Sequence, residues 1–409
     1  MTLKTISIKD FGWRALMAFM LICPLYYNHM QVHGFKTMRM GHEQAFELGI
    51  TALFTIVFIE NIWLAAFMLW TIFLYAYFNF PAMGGNYVMH LFQAGLLYQV
   101  TYHLVNRKRV ETIFRGILVI CAINLAFTAL QFFGYDPLFM NLQSGVMNFD
   151  PVGIMGIKAV SGILSAISIP IALFFSPWLT LAIIPALILS QCSSAVGATV
   201  VSILFLAWQQ SRKTFTYMLI PIAMAGSMYV AYDSKANMMT DRFNLWKLSV
   251  KDALTHPITG MGLDSFRNVG QPKPYLYFKN NVDNTALAMV PTGNQDLWMP
   301  RDGGNFAKDK AGNLWVDPWD NPHNEFVGIL YEFGIVGLLI MGALLLDITK
   351  RLRRDPIITT IFAVFLVYLV SSIGQFPFHL ARTAHLSVIL LACYYKLTDK
   401  GDVVCQPSR

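Results

Sequence analysis

Apolar stretches of about 20 residues, the length a helix needs to cross a bilayer, recur along the chain with short polar breaks between them. They predict spanning helices near 11–28, 43–59, 61–79, 86–105, 113–134, 157–176, 178–191, 195–210, 214–231, 323–348, 356–374 and 383–397. Lipid offers no partner for backbone N–H and C=O groups, so spanning segments of this kind must be helical. One interruption is long: the polar segment 232–322 is rich in Pro, Gly, Asn, Asp and Trp, as in Pro300-Arg301-Asp302-Gly303-Gly304-Asn305 and Trp315-Val316-Asp317-Pro318-Trp319-Asp320. That composition predicts an irregular lobe with a few short helices, and loops of this length are often functional. An amphipathic helix is expected at 240–254, where Phe243, Trp246, Leu248 and Val250 mix with Arg242, Lys247 and Lys251. The predicted fold class is an all-α polytopic membrane protein of about twelve helices. Residues 1–231 carry nine of them, 232–322 form the lobe, and 323–409 carry the last three and a tail.

Composition agrees. Of the 409 residues, 56% are hydrophobic and 13% charged, against about a quarter charged in soluble domains, and mean hydropathy is +0.50. The net charge of +7 is not a nucleic-acid footprint, because the Lys and Arg residues sit in short clusters between apolar runs. Arg107-Lys108-Arg109, Arg212-Lys213 and Lys350-Arg351-Leu352-Arg353-Arg354 fall on one side of the twelve-helix arrangement, together with both termini. The positive-inside rule makes that side cytoplasmic, which leaves 29–42, 135–156, 232–322 and 375–382 on the opposite side. The first apolar run follows Lys4 and Lys9 without a small-residue cleavage site and is read as an uncleaved helix. Cys23, Cys121 and Cys393 lie in apolar runs, Cys192 in a short connection and Cys405 in the tail, so neither a disulfide framework nor a metal-ligand spacing is expected. No internal repeat supports an inverted-repeat transporter, and the chain has neither a nucleotide loop nor an Asp-x-Asp pair.

The sharpest candidate chemistry is Asn321-Pro322-His323-Asn324-Glu325-Phe326, which runs directly into an apolar stretch. Asn321 is a good N-cap and Pro322 suits the first helical position, which predicts His323 in the first turn of helix 323–348. The positive end of the helix dipole disfavours an imidazolium there, so His323 is expected neutral, as a general base must be. The same helix end is expected to attract phosphates. The competing reading is an interfacial polar residue. Val327, Leu330, Gly334 and Gly337 would follow His323 on one face at 3.6 residues per turn, with the glycines admitting a neighbouring helix. Glu332, nine residues on, would point about 180° away, on the face of Glu325. Carboxylates at membrane depth are functional candidates or structural partners of a base.

The run His323-Asn324-x-x-Val327-x-x-Leu330-x-Glu332-x-Gly334-x-x-Gly337 resembles the signature of the O-antigen ligase and polymerase family of bacterial membrane glycosyltransferases. His256-Pro257-Ile258-Thr259-Gly260-Met261-Gly262 is similar to that family's Pro-x-x-Gly-x-Gly turn, and Arg242-Phe243-Asn244-Leu245-Trp246 to the Arg…Trp helix before it. The order of the three motifs within one segment makes the set specific, over about 231–345. Family members often carry a Ser-Arg pair before the lobe, whereas this chain reads Ser190-Gln191-Cys192-Ser193-Ser194-Ala195. The serines are kept and the arginine is missing.

The resemblance implies a GT-C-like membrane enzyme of the bacterial inner membrane with its site facing the periplasm. Its donor would be a glycan on undecaprenyl pyrophosphate. Its acceptor would be a lipid A–core hydroxyl, another glycan, or a protein Ser or Thr, and no metal or cofactor is implied. His323 would be the catalytic base and Asn324 a substrate contact. Arg242 would bind pyrophosphate or else salt-bridge within the lobe. Lys158 and Arg382, predicted at the periplasmic edge, would replace the missing arginine, and Arg382 has an interfacial anchor as its alternative role. The rival class is a transporter of lipid-linked glycans, and a scaffold for glycan assembly is a third.

Overall fold

Several of the described helices start at short polar side chains that cap the first free amides, a role for which Asn, Asp and Ser are suited. Asn61 accepts from Trp63 and Leu64 N–H at 3.0 and 2.9 Å and opens α1, Ile62–Tyr77. Asn106 accepts from Arg109 N–H at 3.0 Å and opens α3, Arg107–Phe132, while α2 spans Gly84–Leu104. Ser176 with Pro177 opens α5, Pro177–Leu189, which lies between α4, Lys158–Phe175, and α6, Ser193–Gln210. Asp355 with Pro356 opens α8, Pro356–Ser371, between α7, Glu325–Lys350, and α9, Ala381–Thr398. The computed structural model describes residues 13–14, 16–17, 61–78, 84–135, 152–155, 158–211, 243, 246–247, 249–263, 265, 299–301, 304–308, 314–316, 322–375, 377–378 and 381–399.

Nine of the predicted spans thus have helices at their positions, and residues 13, 14, 16 and 17 are helical within a tenth. The spans 43–59 and 214–231, the basic pair 212–213 and most of the lobe lie outside the described residues. Residues within 243–253 are helical, as the amphipathic pattern predicts. The all-helical expectation holds for the described residues of the apolar spans. Within the lobe segment, strands β1, Met299–Arg301, β2, Gly304–Lys308, and β3, Leu314–Val316, form a small antiparallel sheet in the order β1-β2-β3. Arg107–Phe132, Lys158–Phe175 and Glu325–Lys350 are long and apolar enough to cross a membrane.

The core is built around α4, which is buried without interruption from Val160 to Ala172. Helices α3, α5, α6 and α8 pack around it, and α2 packs on α9. Phe205, late in α6, meets Phe362, in the first half of α8, with ring centroids 5.0 Å apart.

A short 3-10 turn, Gly153–Met155, is buried among these helices. Its backbone would be costly there without partners. Gln131 Oε1 accepts from Gly153 N–H at 2.6 Å and Asn124 Oδ1 from Ile154 N–H at 3.0 Å, while Asn124 Nδ2 donates to Ser161 Oγ at 2.8 Å. Asn124→Leu removes the bonds to Ile154 N–H and Ser161 Oγ from one buried site, so it is expected to destabilise the fold by about 1–3 kcal/mol per orphaned group, read as a lower thermal midpoint in detergent.

Two of the basic clusters meet where α8 begins. Arg107 pairs with Asp355 at 2.6 Å, and Arg351 bridges Asp347 at 3.1 Å and Asp399 at 2.7 Å. Burial works against the Arg351 charge, but the hydrogen bond to Asp399 and the field of Asp347 outweigh it and hold its pKa above the ordinary value. Tyr395 donates to Asp347 at 2.5 Å and Tyr102 to Asp399. The clusters at 107–109 and 350–354 therefore share one end, as their charge pattern predicts.

Candidate functional site

The chain enters α7 differently from the sequence expectation. The helix begins at Glu325 rather than 323, and its N-cap is Asn324 rather than Asn321. Asn324 Oδ1 accepts from Phe326 N–H at 3.0 Å and Val327 N–H at 3.1 Å, while its Nδ2 donates to the Ile373 carbonyl at 3.0 Å. Glu325 N–H donates to the Ser372 carbonyl at 2.9 Å. Either asparagine has the chemistry of a cap. Asn324 takes the role because it also ties the helix start to the turn that ends α8.

His323 therefore stands just outside the helix, half-buried, with φ +50°. A left-handed conformation costs a non-glycine residue roughly 1–2 kcal/mol and persists where the surroundings over-determine it. The expected face shared by His323, Val327, Leu330, Gly334 and Gly337 does not exist, since His323 has no helical phase. The first-turn amides are also taken. Ser372 accepts from Glu325, the Asn324 side chain from Phe326 and Val327, and the Asn324 carbonyl from Gly328 at 2.9 Å. An anion at this helix end finds the dipole but no N–H to bind, and Glu325 places an acidic side chain in the same turn.

Nine residues after Glu325, α7 is broken. Gly334 adopts φ +66°, ψ −167°, a region essentially reserved for glycine. Into the break docks the turn Pro257–Gly262. Met261 N–H donates to the Tyr331 carbonyl at 2.7 Å, and Ile335 N–H to the Pro257 carbonyl at 2.8 Å. The Trp70 indole of α1 donates to the Phe333 carbonyl at 2.9 Å. These bonds replace the i→i−4 ladder that the break interrupts. The glycines are explained by contact: a Cβ on Gly260 would lie 2.6 Å from the Tyr331 oxygen, and one on Gly334 would overlap the Ile258 carbonyl. The close approach expected from a neighbouring helix is made instead by the backbone of a turn. The Pro-x-x-Gly-x-Gly and Glu-x-Gly-x-x-Gly motifs are thus two halves of one joint, with Glu332 buried beside it. From the lobe, Trp246 Nε1–H donates to the Pro322 carbonyl at 2.7 Å, one peptide before His323.

The remaining predicted residues fall as follows. Lys158 begins α4, and its Nζ donates to Gln191 Oε1 at 3.2 Å. Gln191 lies in the turn between α5 and α6 with φ +51°. Lys158 is thus placed beside the Ser190–Ser194 segment from which the expected arginine is missing. Arg382 lies in the first turn of α9, its side chain outside the described residues, as is Arg242. Trp70 and Gln191 were not singled out by the sequence. The only signal toward Trp70 was the glycine at 334, which announces a close contact without naming the partner.

These features define an apolar helical bundle whose polar segment docks on a broken helix and brackets a histidine. Residues 178–342 match the family model for O-antigen ligase. That segment is similar to the O-antigen ligase/polymerase family, whose members are membrane-associated, glycosyltransferase-like enzymes. The matched segment runs from α5 through the lobe to α7, and so includes the 257–262 turn and His323–Asn324. No curated protein matches the chain.

Proposed function

We propose that the chain is a multi-pass bacterial inner-membrane glycosyltransferase, with both termini cytoplasmic and its site facing the periplasm. It moves a glycan from undecaprenyl pyrophosphate to an acceptor hydroxyl, and a lipid A–core sugar is the favoured acceptor, in keeping with the matched family. The observation that carries this reading is His323, held outside α7 between the lobe and the end of α8. An imidazole fixed on both flanking peptides is the arrangement a general base needs. The acceptor oxygen attacks the anomeric carbon while His323 takes its proton. The bond from that carbon to the pyrophosphate oxygen breaks, and the lipid pyrophosphate leaves with the electron pair. Direct displacement inverts the anomeric centre. Lys158, Arg242 and Arg382 neutralise the leaving charge electrostatically, a task left to side chains because the α7 amides are occupied. Asn324 orients the site and retains one amide hydrogen for a substrate contact.

Purified protein mixed in detergent with lipid-linked donor and lipid A–core acceptor is expected to form the joined product without a sealed membrane. A transporter would form none. Extension of the lipid-linked glycan in place of its transfer to the core would identify a polymerase, and transfer to a protein hydroxyl an O-oligosaccharyltransferase.

A further inference from the structure

We propose that Trp246 is a positioning residue for His323: by holding the Pro322 carbonyl, the lobe helix sets the peptide plane from which the imidazole projects. This rests on the general-base reading above. The direction of the His323 side chain depends on the two peptides that flank it. The following peptide is fixed to the bundle through Asn324 Nδ2 on the Ile373 carbonyl at 3.0 Å and Glu325 N–H on the Ser372 carbonyl at 2.9 Å. The preceding one is held from the lobe by the indole N–H at 2.7 Å. Between the two anchors sits a residue at φ +50°, a conformation that a non-glycine residue keeps only while its surroundings impose it. Release of the Pro322 carbonyl lets the Pro322–His323 peptide rotate and His323 return to negative φ, which swings the ring off its line.

The indole is itself well fixed. Phe243, one helical turn earlier, meets it edge-on with centroids 5.0 Å apart. The same stretch of chain continues into the 257–262 turn seated in the α7 break. Docking of that turn and placement of the Trp246 N–H are therefore one event, and the base is in register only when the lobe is seated.

Trp246→Phe keeps an aromatic ring and removes the N–H. In the detergent assay it is expected to lower kcat by about 5–30-fold, since small misplacements of a reacting group are costly. The donor KM should stay within about twofold, the acidic limb of the kcat–pH profile should move, and the thermal midpoint should be retained. In a His323→Ala background the same change should cost nothing further, because the two residues act as a unit. An equal fold-loss in both backgrounds, a raised KM at unchanged kcat, unchanged kinetics, or a protein that fails to fold each overturns the positioning role. If residual turnover of His323→Ala is too low to compare, the pH profile and the kcat–KM split of Trp246→Phe decide alone. His323→Ala with near-normal transfer sinks the general-base reading itself, whereas an inactive His323→Ala beside an unaffected Trp246→Phe sinks only this inference.

Discussion

Replacing His323 with asparagine is expected to slow glycan transfer by about 10²–10⁴-fold, the usual contribution of a positioned general base, or roughly 3–5 kcal/mol of barrier. Asparagine is the informative substitution because it tolerates the left-handed backbone that His323 adopts and cannot accept a proton near neutral pH. The fold should survive, so thermal stability and donor binding are expected close to wild type while kcat collapses. His323→Gly, still more at ease at positive φ, should behave alike. Transfer by either variant within threefold of wild type, in the purified assay, would remove His323 from the chemistry and leave it a structural residue of the loop.

Gly334→Ala is expected to be the most damaging single-methyl change in the described part of the chain. The backbone there sits at φ +66°, ψ −167°, which a residue with a Cβ adopts at a cost of order 1–3 kcal/mol. The added methyl would also overlap the Ile258 carbonyl, and forced overpacking adds typically 1–3 kcal/mol. The joint should relieve both by letting the 257–262 turn come away, which strips the Tyr331 carbonyl and Ile335 N–H of their partners. The readouts are a thermal midpoint lowered by several degrees, protease cleavage appearing within 254–262, and loss of transfer. Protection from protease equal to wild type would mean that the turn and the break are not coupled as described.

The helices were largely legible in the sequence because each is an apolar run with a polar edge. The predicted 61–79 and 86–105 appear as Ile62–Tyr77 and Gly84–Leu104. Where boundaries moved, the cause is chemistry that hydropathy does not register. The run read as 113–134 starts at Arg107, because Asn106 caps it and the basic residues that follow are good helix formers. At α7 two asparagines competed, and the choice was made by the Ile373 carbonyl, contributed from some fifty residues away in the chain. The site was half legible. His323, its motif and the glycines stood out locally, but the fit of the 257–262 turn into the break is a pairing of two distant segments, and a glycine in a helix does not say what approaches it. The expected phosphate-binding helix end was read from a dipole rule that holds only while the amides are free. Here the protein's own side chain and a neighbouring carbonyl have claimed them.

The break at Gly334 carries a mechanical consequence. Glu325–Phe333 is a stub of about 13 Å at 1.5 Å per residue, fastened to the Ser372–Ile373 turn above and to the 257–262 turn and Trp70 below. Its bonds to the rest of α7 are interrupted, so along this stretch covalent continuity and stiffness part company. Two of these anchors, the Ser372–Ile373 turn and Trp70, belong to the bundle, so the stub keeps its place through its neighbours rather than through the helix it continues into.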